Sequence, residues 1–195
     1  FMDCDEYFCI DTKKLAKFCE EECEFCEAAD GGNDADGTKG AQERTLINKK
    51  TGRRIRAIVT VHVFGNMANM EVIMDIADKY GLKVLEDATE ALGSYVTDGK
   101  YKGYKAGTIG DMGVYSFNAN KIITTGGGGM IVSRNKEYLD EARYLTITAK
   151  ETSAEEALHF MHNEVGYNYR MTNLQAALGV SQIDRLEDFI GIKER

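Results

Sequence analysis

The chain has 195 residues, 43% of them hydrophobic, enough for one substantial core, since a domain of roughly 100–200 residues buries most of the surface of its unfolded chain. Asp and Glu outnumber Lys and Arg by 32 to 24 and no basic stripe stands out, so the electrostatic drive toward nucleic acid or anionic membrane is missing. No apolar run approaches the ~20 residues of a membrane span, and Phe1-Met2-Asp3-Cys4-Asp5 has no basic-then-apolar signal pattern, so the expected compartment is the cytoplasm.

The chain opens on what reads as a strand end. Asp11-Thr12 then starts a capped helix predicted to run to about Cys26. All five cysteines precede residue 27, and Cys19, Cys23 and Cys26 are spaced as in the cluster-binding motif of iron–sulfur radical enzymes. The simpler reading puts Leu15, Phe18, Cys19, Cys23 and Cys26 on one inward stripe of that helix. Glu20, Glu21, Glu22, Glu24 and Glu27 fill the gaps, and their charge opposes assembly of a thiolate-ligated cluster. The polar, acidic stretch 30–40 cannot bury enough apolar surface to order itself. A flexible insertion is therefore predicted over about 28–54, ending in the basic turn 48–54.

Ile55 to Val63 is a β-rich run closed by Gly65-Asn66. Asn69 to Tyr80 carries apolar residues at helical spacing and stops at Gly81. Leu82 to Leu85 is a short strand ending at Glu86-Asp87. Met112–Phe117 and Gly129–Ser133 supply two more strands, and helices are predicted over Asn135–Leu145 and Asn173–Ile190. The second carries Leu174, Ala177, Leu178, Ile183, Leu186 and Ile190 on its apolar side. Strand, helix, strand is the order of a parallel α/β sheet, in which ligand sites gather at the carboxyl ends of strands. Proline is absent, which leaves the turns to Gly, Asn and Asp.

The chemistry concentrates at two of those strand ends. Ser116-Phe117-Asn118-Ala119-Asn120-Lys121 leads into Thr124-Thr125 and four glycines, an arrangement suited to an anionic cofactor approached closely by backbone. The same glycines would also serve a plain turn between strands. A nucleotide-hydrolase phosphate loop fits poorly, because there the Lys follows the glycines. A lysine placed ahead of them suits covalent chemistry with an aldehyde. Asp87 at the other strand end could pair with a protonated pyridine nitrogen and keep the ring electron-withdrawing, or could simply cap the following turn.

The stretches VHVFGN at 61–66, EDATEALGS at 86–94, GTIGDMGVYSFNANKIITTGGGGMIVS at 107–133 and HNEVGYNYRMTNLQAALG at 162–179 together resemble the DegT/StrS-type sugar aminotransferases. The resemblance is closest to their LegC-like branch. It implies an α/β, three-layer transferase of fold type I dependent on pyridoxal 5'-phosphate (PLP), with a mostly parallel sheet and helices on both faces. Residues 1–195 would form a single, partial, PLP-binding large domain. By resemblance, Lys121 is the lysine that binds the cofactor covalently and shuttles protons, and Asp87 is the partner of the pyridine nitrogen. Glu90 stands near the ring and its phenolic oxygen, Ser116 binds the phosphate, and Asn168 reaches the phosphate of a neighbouring subunit in a homodimer with shared sites. His62 and Arg170 are candidates for positions close to the substrate; no metal is implied. Glutamate would be the amino donor and a nucleotide-linked keto deoxysugar the acceptor, in amino-sugar and surface-polysaccharide biosynthesis. Relatives place proline near Thr60 and Met67, where this chain has none, and a complete member is nearly twice as long. The segment alone is therefore expected to be inactive or barely stable, and a truncated, non-catalytic homologue is the alternative reading. Relatives that remove a hydroxyl carry histidine at the lysine position, which Lys121 opposes.

Overall fold

The computed structural model describes residues 1–26, 44–150 and 161–193. The acidic stretch 30–40 lies outside the described residues.

The N-terminal part departs from the expected helix. α1 spans only Thr12–Lys17, with the Asp11 carboxylate accepting the N–H groups of Lys13 and Lys14. One turn of π-helix, Phe18–Glu22, follows, and Cys23–Cys26 is a strand, β1. Tertiary pairing overrides the helical pattern here, because β1 runs antiparallel to β2 (Thr45–Asn48), which pairs with β3 (Arg54–Ile55). The second half of the predicted insertion is thus a hairpin. Asn48 closes it by accepting the N–H groups of Lys50 and Thr51 on its side-chain oxygen, the usual use of Asn in a turn.

Leu15, Cys19 and Cys23 are buried as expected, although on three different kinds of backbone. Burial, and after it the neighbouring Cys23, push the Cys19 thiol up to about 11. The Cys19 side chain packs in the core with Leu15 and Cys23. Among the described residues no three His, Cys, Asp or Glu side chains come together in a metal-binding group.

The second sheet has the order β4-β5-β6-β7. β4 (Ala57–Val61), β5 (Lys83–Asp87) and β6 (Met112–Ser116) are parallel, and β7 (Gly129–Val132) returns antiparallel beside β6. The run predicted as one strand from Ile55 to Val63 is therefore divided between two sheets. α2 (Met70–Tyr80) forms the crossover from β4 to β5. Asn69 caps it by accepting the Val72 N–H at 3.2 Å, and Gly81, at φ 66°, ends it in the left-handed region that glycine enters without steric cost. Its Met70, Ile73, Ile76, Ala77 and Tyr80 are all buried in the core with Ile58, Leu82 and Val84. Each large apolar side chain fully buried this way contributes on the order of 1.5–3 kcal/mol.

The register sorts side chains by parity. Ile58, Thr60, Val84 and Glu86 are buried on the face under α2, whereas Val59, Leu85 and Asp87 turn the other way. α3 (Lys136–Thr146), capped by Asn135, packs against β7. The predicted helix 173–190 is broken at Asp184-Arg185 into α4 (Asn173–Ile183) and α5 (Leu186–Lys193). Its apolar side stays largely uncovered, with Leu174, Leu178 and Ile183 all exposed. No helix among the described residues is long and apolar enough to cross a membrane.

Candidate active site

Three strand ends and their loops surround a cavity of about 880 Å³. Its walls include Phe64 and Met67 after β4, Glu90 after β5, Ser116 and Lys121 after β6, and Ile190 from α5. A volume of that size accommodates a cofactor together with a small substrate.

Lys121 is presented by a loop closed at both ends. Phe117 donates its N–H to Gly128 O at 3.0 Å and accepts the Thr125 N–H at 2.9 Å, with Phe117 and Ile123 buried as anchors. The tetraglycine makes that closure feasible: Gly126 and Gly128 sit at φ 75° and 91°, in the left-handed region where a side chain is strained. α4 then lies against the loop. Gln182 accepts the Thr124 N–H at 3.0 Å and donates to Thr124 O at 2.7 Å, so one carboxamide matches both backbone groups of a single loop residue.

The Lys121 side chain is 16% exposed and places Nζ 3.7 Å from Glu90 Oε1. Glu90 in turn accepts the Phe64 N–H on Oε2 at 2.9 Å. Ser116 ends β6 with its hydroxyl accepting the Asn118 N–H at 3.2 Å. An amine, a carboxylate and a hydroxyl thereby meet in one cavity.

Behind this wall is a buried polar pair that was not anticipated. His62 Nε2 lies 2.8 Å from Glu86 Oε2, and neither side chain has any exposed surface. His62 Nδ1 accepts the Ala68 N–H at 3.1 Å, so the ring proton belongs on Nε2 and is donated to Glu86. Glu86 Oε2 also accepts the Gly107 N–H at 2.9 Å, and Oε1 accepts those of Ile109 and Gly110 at 2.6 Å each. Burial pushes the Glu86 pKa up, but the donors from His62, Gly110 and Gly107 outweigh it and leave the group below its ordinary value. Tyr115, whose phenol donates to Ala106 O, has its pKa raised by burial and then by the Glu86 charge.

The candidate residues therefore divide. Lys121, Glu90 and Ser116 share the cavity. Asp87 does not line it; it is half-buried on the face opposite Glu86, and its Oδ1 accepts the Thr89 N–H at 3.1 Å. Since Asp87 pairs in register with Val114, it shares a face with Ser116 two residues further along β6. His62 does not line the cavity; it is fully buried with both ring nitrogens engaged, two residues before Phe64, which does line it. Asn168 and Arg170 are exposed and do not line this cavity; Asn168 is held to the end of α3 by a bridge with Ile147. Glu86, Gln182 and Ile190 escaped sequence reasoning. Only Glu86 left a signal, as an acidic residue at a buried parity position in a strand.

Comparisons with known proteins identify the family. The model of the DegT/DnrJ/EryC1/StrS aminotransferase family matches residues 34–195. The putative pyridoxal phosphate-dependent aminotransferase EpsN of Bacillus subtilis is 42% identical over 149 residues, covering 76% of this chain and 36% of EpsN. GDP-perosamine synthase of Escherichia coli O157:H7 is 38% identical over 160 residues, covering 82% of this chain and 42% of that enzyme. In structure, Helicobacter pylori PseC, an aminotransferase involved in pseudoaminic acid biosynthesis, superposes with a TM-score of 0.70 at 24% identity, over 96% of this chain and 40% of PseC. That likeness establishes the fold of the PLP-dependent aminotransferases. The chain spans roughly two fifths of the length of these relatives. From the cavity, the motifs and the match, the chain belongs to the DegT/DnrJ/EryC1/StrS aminotransferase family.

Proposed function

We propose that this chain is the PLP-binding large-domain portion of an aminotransferase that moves an amino group from glutamate to a keto group of a nucleotide-linked deoxysugar. The observation that carries the reading is Lys121, a largely buried amine directed into a cavity at the carboxyl ends of parallel strands, 3.7 Å from Glu90. PLP suits the residues that line the cavity: an amine for its aldehyde at Lys121 and the Ser116 hydroxyl for its phosphate. When bound, PLP supplies an electron sink that stabilises negative charge on the carbon losing a proton.

The chain's own residues supply the rest. Lys121 Nζ would hold the cofactor through its aldehyde and would be the group that carries a proton between the reacting carbons. Glu90 Oε1 is placed to hold the proton that Nζ gives up, while its other oxygen fixes the loop carrying Phe64. Asp87, on the same sheet face as Ser116, would pair with the ring nitrogen. The closed 117–128 loop and the Gln182 tie restrict the motion of Lys121, so little ordering remains to be done at the moment of reaction. Homodimer formation, with Asn168 reaching a neighbouring site, and a cytoplasmic location belong to the same reading. GDP-perosamine synthase and the Campylobacter jejuni UDP-4-amino-4,6-dideoxy-N-acetyl-beta-L-altrosamine transaminase, 35% identical over 164 residues, support a nucleotide-linked sugar as substrate.

Reconstitution of the full-length parent enzyme with PLP, followed by borohydride, tests this directly. A reducible adduct that persists in Lys121→Ala would show that the lysine is misassigned. A protein that binds PLP but gives no glutamate-driven half-reaction would refute the aminotransferase reading and favour the non-catalytic homologue.

A further inference from the structure

Resting on the proposed function, we infer that Phe64 is a specificity-determining residue, whose ring receives the apolar face of the substrate's sugar where the deoxy carbon stands as a methyl group. Phe64 lines the cavity yet is 74% exposed, and its backbone sits at φ 55°, ψ 23°. A bulky side chain in the left-handed region is an outlier that persists only when its surroundings hold it there. They do so on both sides: Glu90 accepts its N–H, and Ser94 Oγ donates to the carbonyl of Gly65, the next residue, at 2.8 Å.

The arrangement is doubled. Phe8, at φ 63° and also exposed, meets Phe64 edge to face, with ring centres 6.1 Å apart and planes at 75°. Asp5 holds the Phe8 turn by accepting the N–H groups of Tyr7 and Cys9 at 2.9 and 3.0 Å. Cys9 Sγ donates to Asn66 O at 3.6 Å and ties that turn to the Phe64 loop. Two strained backbones thus support one exposed aromatic corner, which local packing alone does not account for.

The occupant follows from distance. The Phe64 N–H is one carboxylate away from Lys121 Nζ, across Glu90. Phe64 and Lys121 also line one cavity, so the corner suits the part of the substrate next to the reacting carbon, the sugar ring, better than a nucleobase beyond the diphosphate. A sugar ring offers C–H groups on its faces, and a deoxysugar adds a methyl, both suited to an aromatic face.

The test uses the PLP-loaded full-length parent enzyme and two nucleotide-linked keto sugars that differ only in carrying a methyl or a hydroxymethyl group. Each kcat/KM is divided by the same variant's rate in the glutamate half-reaction. The parent should prefer the methyl sugar by about 10–100-fold, the range an apolar contact gives against an added hydroxyl. Phe64→Gly should reduce the preference to about threefold or less, chiefly through KM for the methyl sugar, and Phe64→Leu should retain part of it. Because glycine relaxes φ 55°, Phe64→Gly should not lower the thermal midpoint. A parent without the preference, a ratio that survives Phe64→Gly, or a midpoint that falls while the ratio stays would each overturn the inference. Loss of the glutamate half-reaction in the parent would instead count against the proposed function.

Discussion

Replacing Glu86 by Gln removes a charge while keeping the shape, and the structure predicts a large cost. Four donors converge on the two carboxylate oxygens: His62 Nε2–H, and the N–H groups of Gly107, Ile109 and Gly110. A carboxamide keeps one accepting oxygen, which can serve Ile109 and Gly110. Its NH2 group then faces two donors. Turning the His62 tautomer only moves the conflict to Nδ1, where Ala68 N–H points at the ring. At least two buried protein donors, besides hydrogens of the new carboxamide, are left without acceptors whichever proton is moved, at about 1–3 kcal/mol each, partly offset by no longer burying a charge. The net expectation is a loss of about 3 kcal/mol, read as a lower urea midpoint at constant m-value. The pH dependence gives an independent sign. The folded pKa of Glu86 lies below its ordinary value of 4.5, so the carboxylate's contribution is present above that value and is lost as pH falls through the folded one. The parent should lose this contribution on acidification below about 4.5, and Glu86→Gln should lack that part of the slope. A Gln variant within 0.5 kcal/mol of the parent, with the same acid slope, would refute the four-donor reading.

Two further substitutions probe the 107–110 loop that the pair supports and the loop that carries Lys121. At Gly113 a Cβ would fall on the carbonyl of Gly107, backbone against backbone, so Gly113→Ala should cost about 3 kcal/mol and show as a lower thermal midpoint. Gln182→Ala removes both hydrogen bonds to Thr124; a loss of about 1–2 kcal/mol is expected, with faster amide exchange across 121–127 and a slower borohydride-trapped reaction of Lys121.

The sequence was most readable where local and tertiary preferences agree. α2 could be located to within a residue because its cap, its apolar spacing and its terminal glycine all indicate one helix. The segment from Thr12 to Cys26 was misread because the cysteine spacing fits a helix, while pairing with β2 settles the matter for Cys23–Cys26. Propensity is a weak prior against an available strand partner. Among the site residues, Lys121, Glu90 and Ser116 lie on segments whose order along the chain is also their order around the cavity. The burial of His62 was not legible because a histidine in a motif and a histidine in a core are alike in sequence; only burial and two engaged nitrogens separate them. Gln182 could not have been found, since its partner Thr124 is 58 residues away.

The alternation along β5 has a consequence for folding accuracy. Glu86 and Asp87 are chemically near-equivalent neighbours, and a slip of one residue would exchange their places. The His62 ring and the three loop amides admit a carboxylate at only one depth. Glu carries one more methylene than Asp, and the shorter side chain would leave those donors stranded. The buried cradle therefore proofreads the register, and by accepting Glu86 alone it delivers the aspartate, one step further on, to the open face of the sheet.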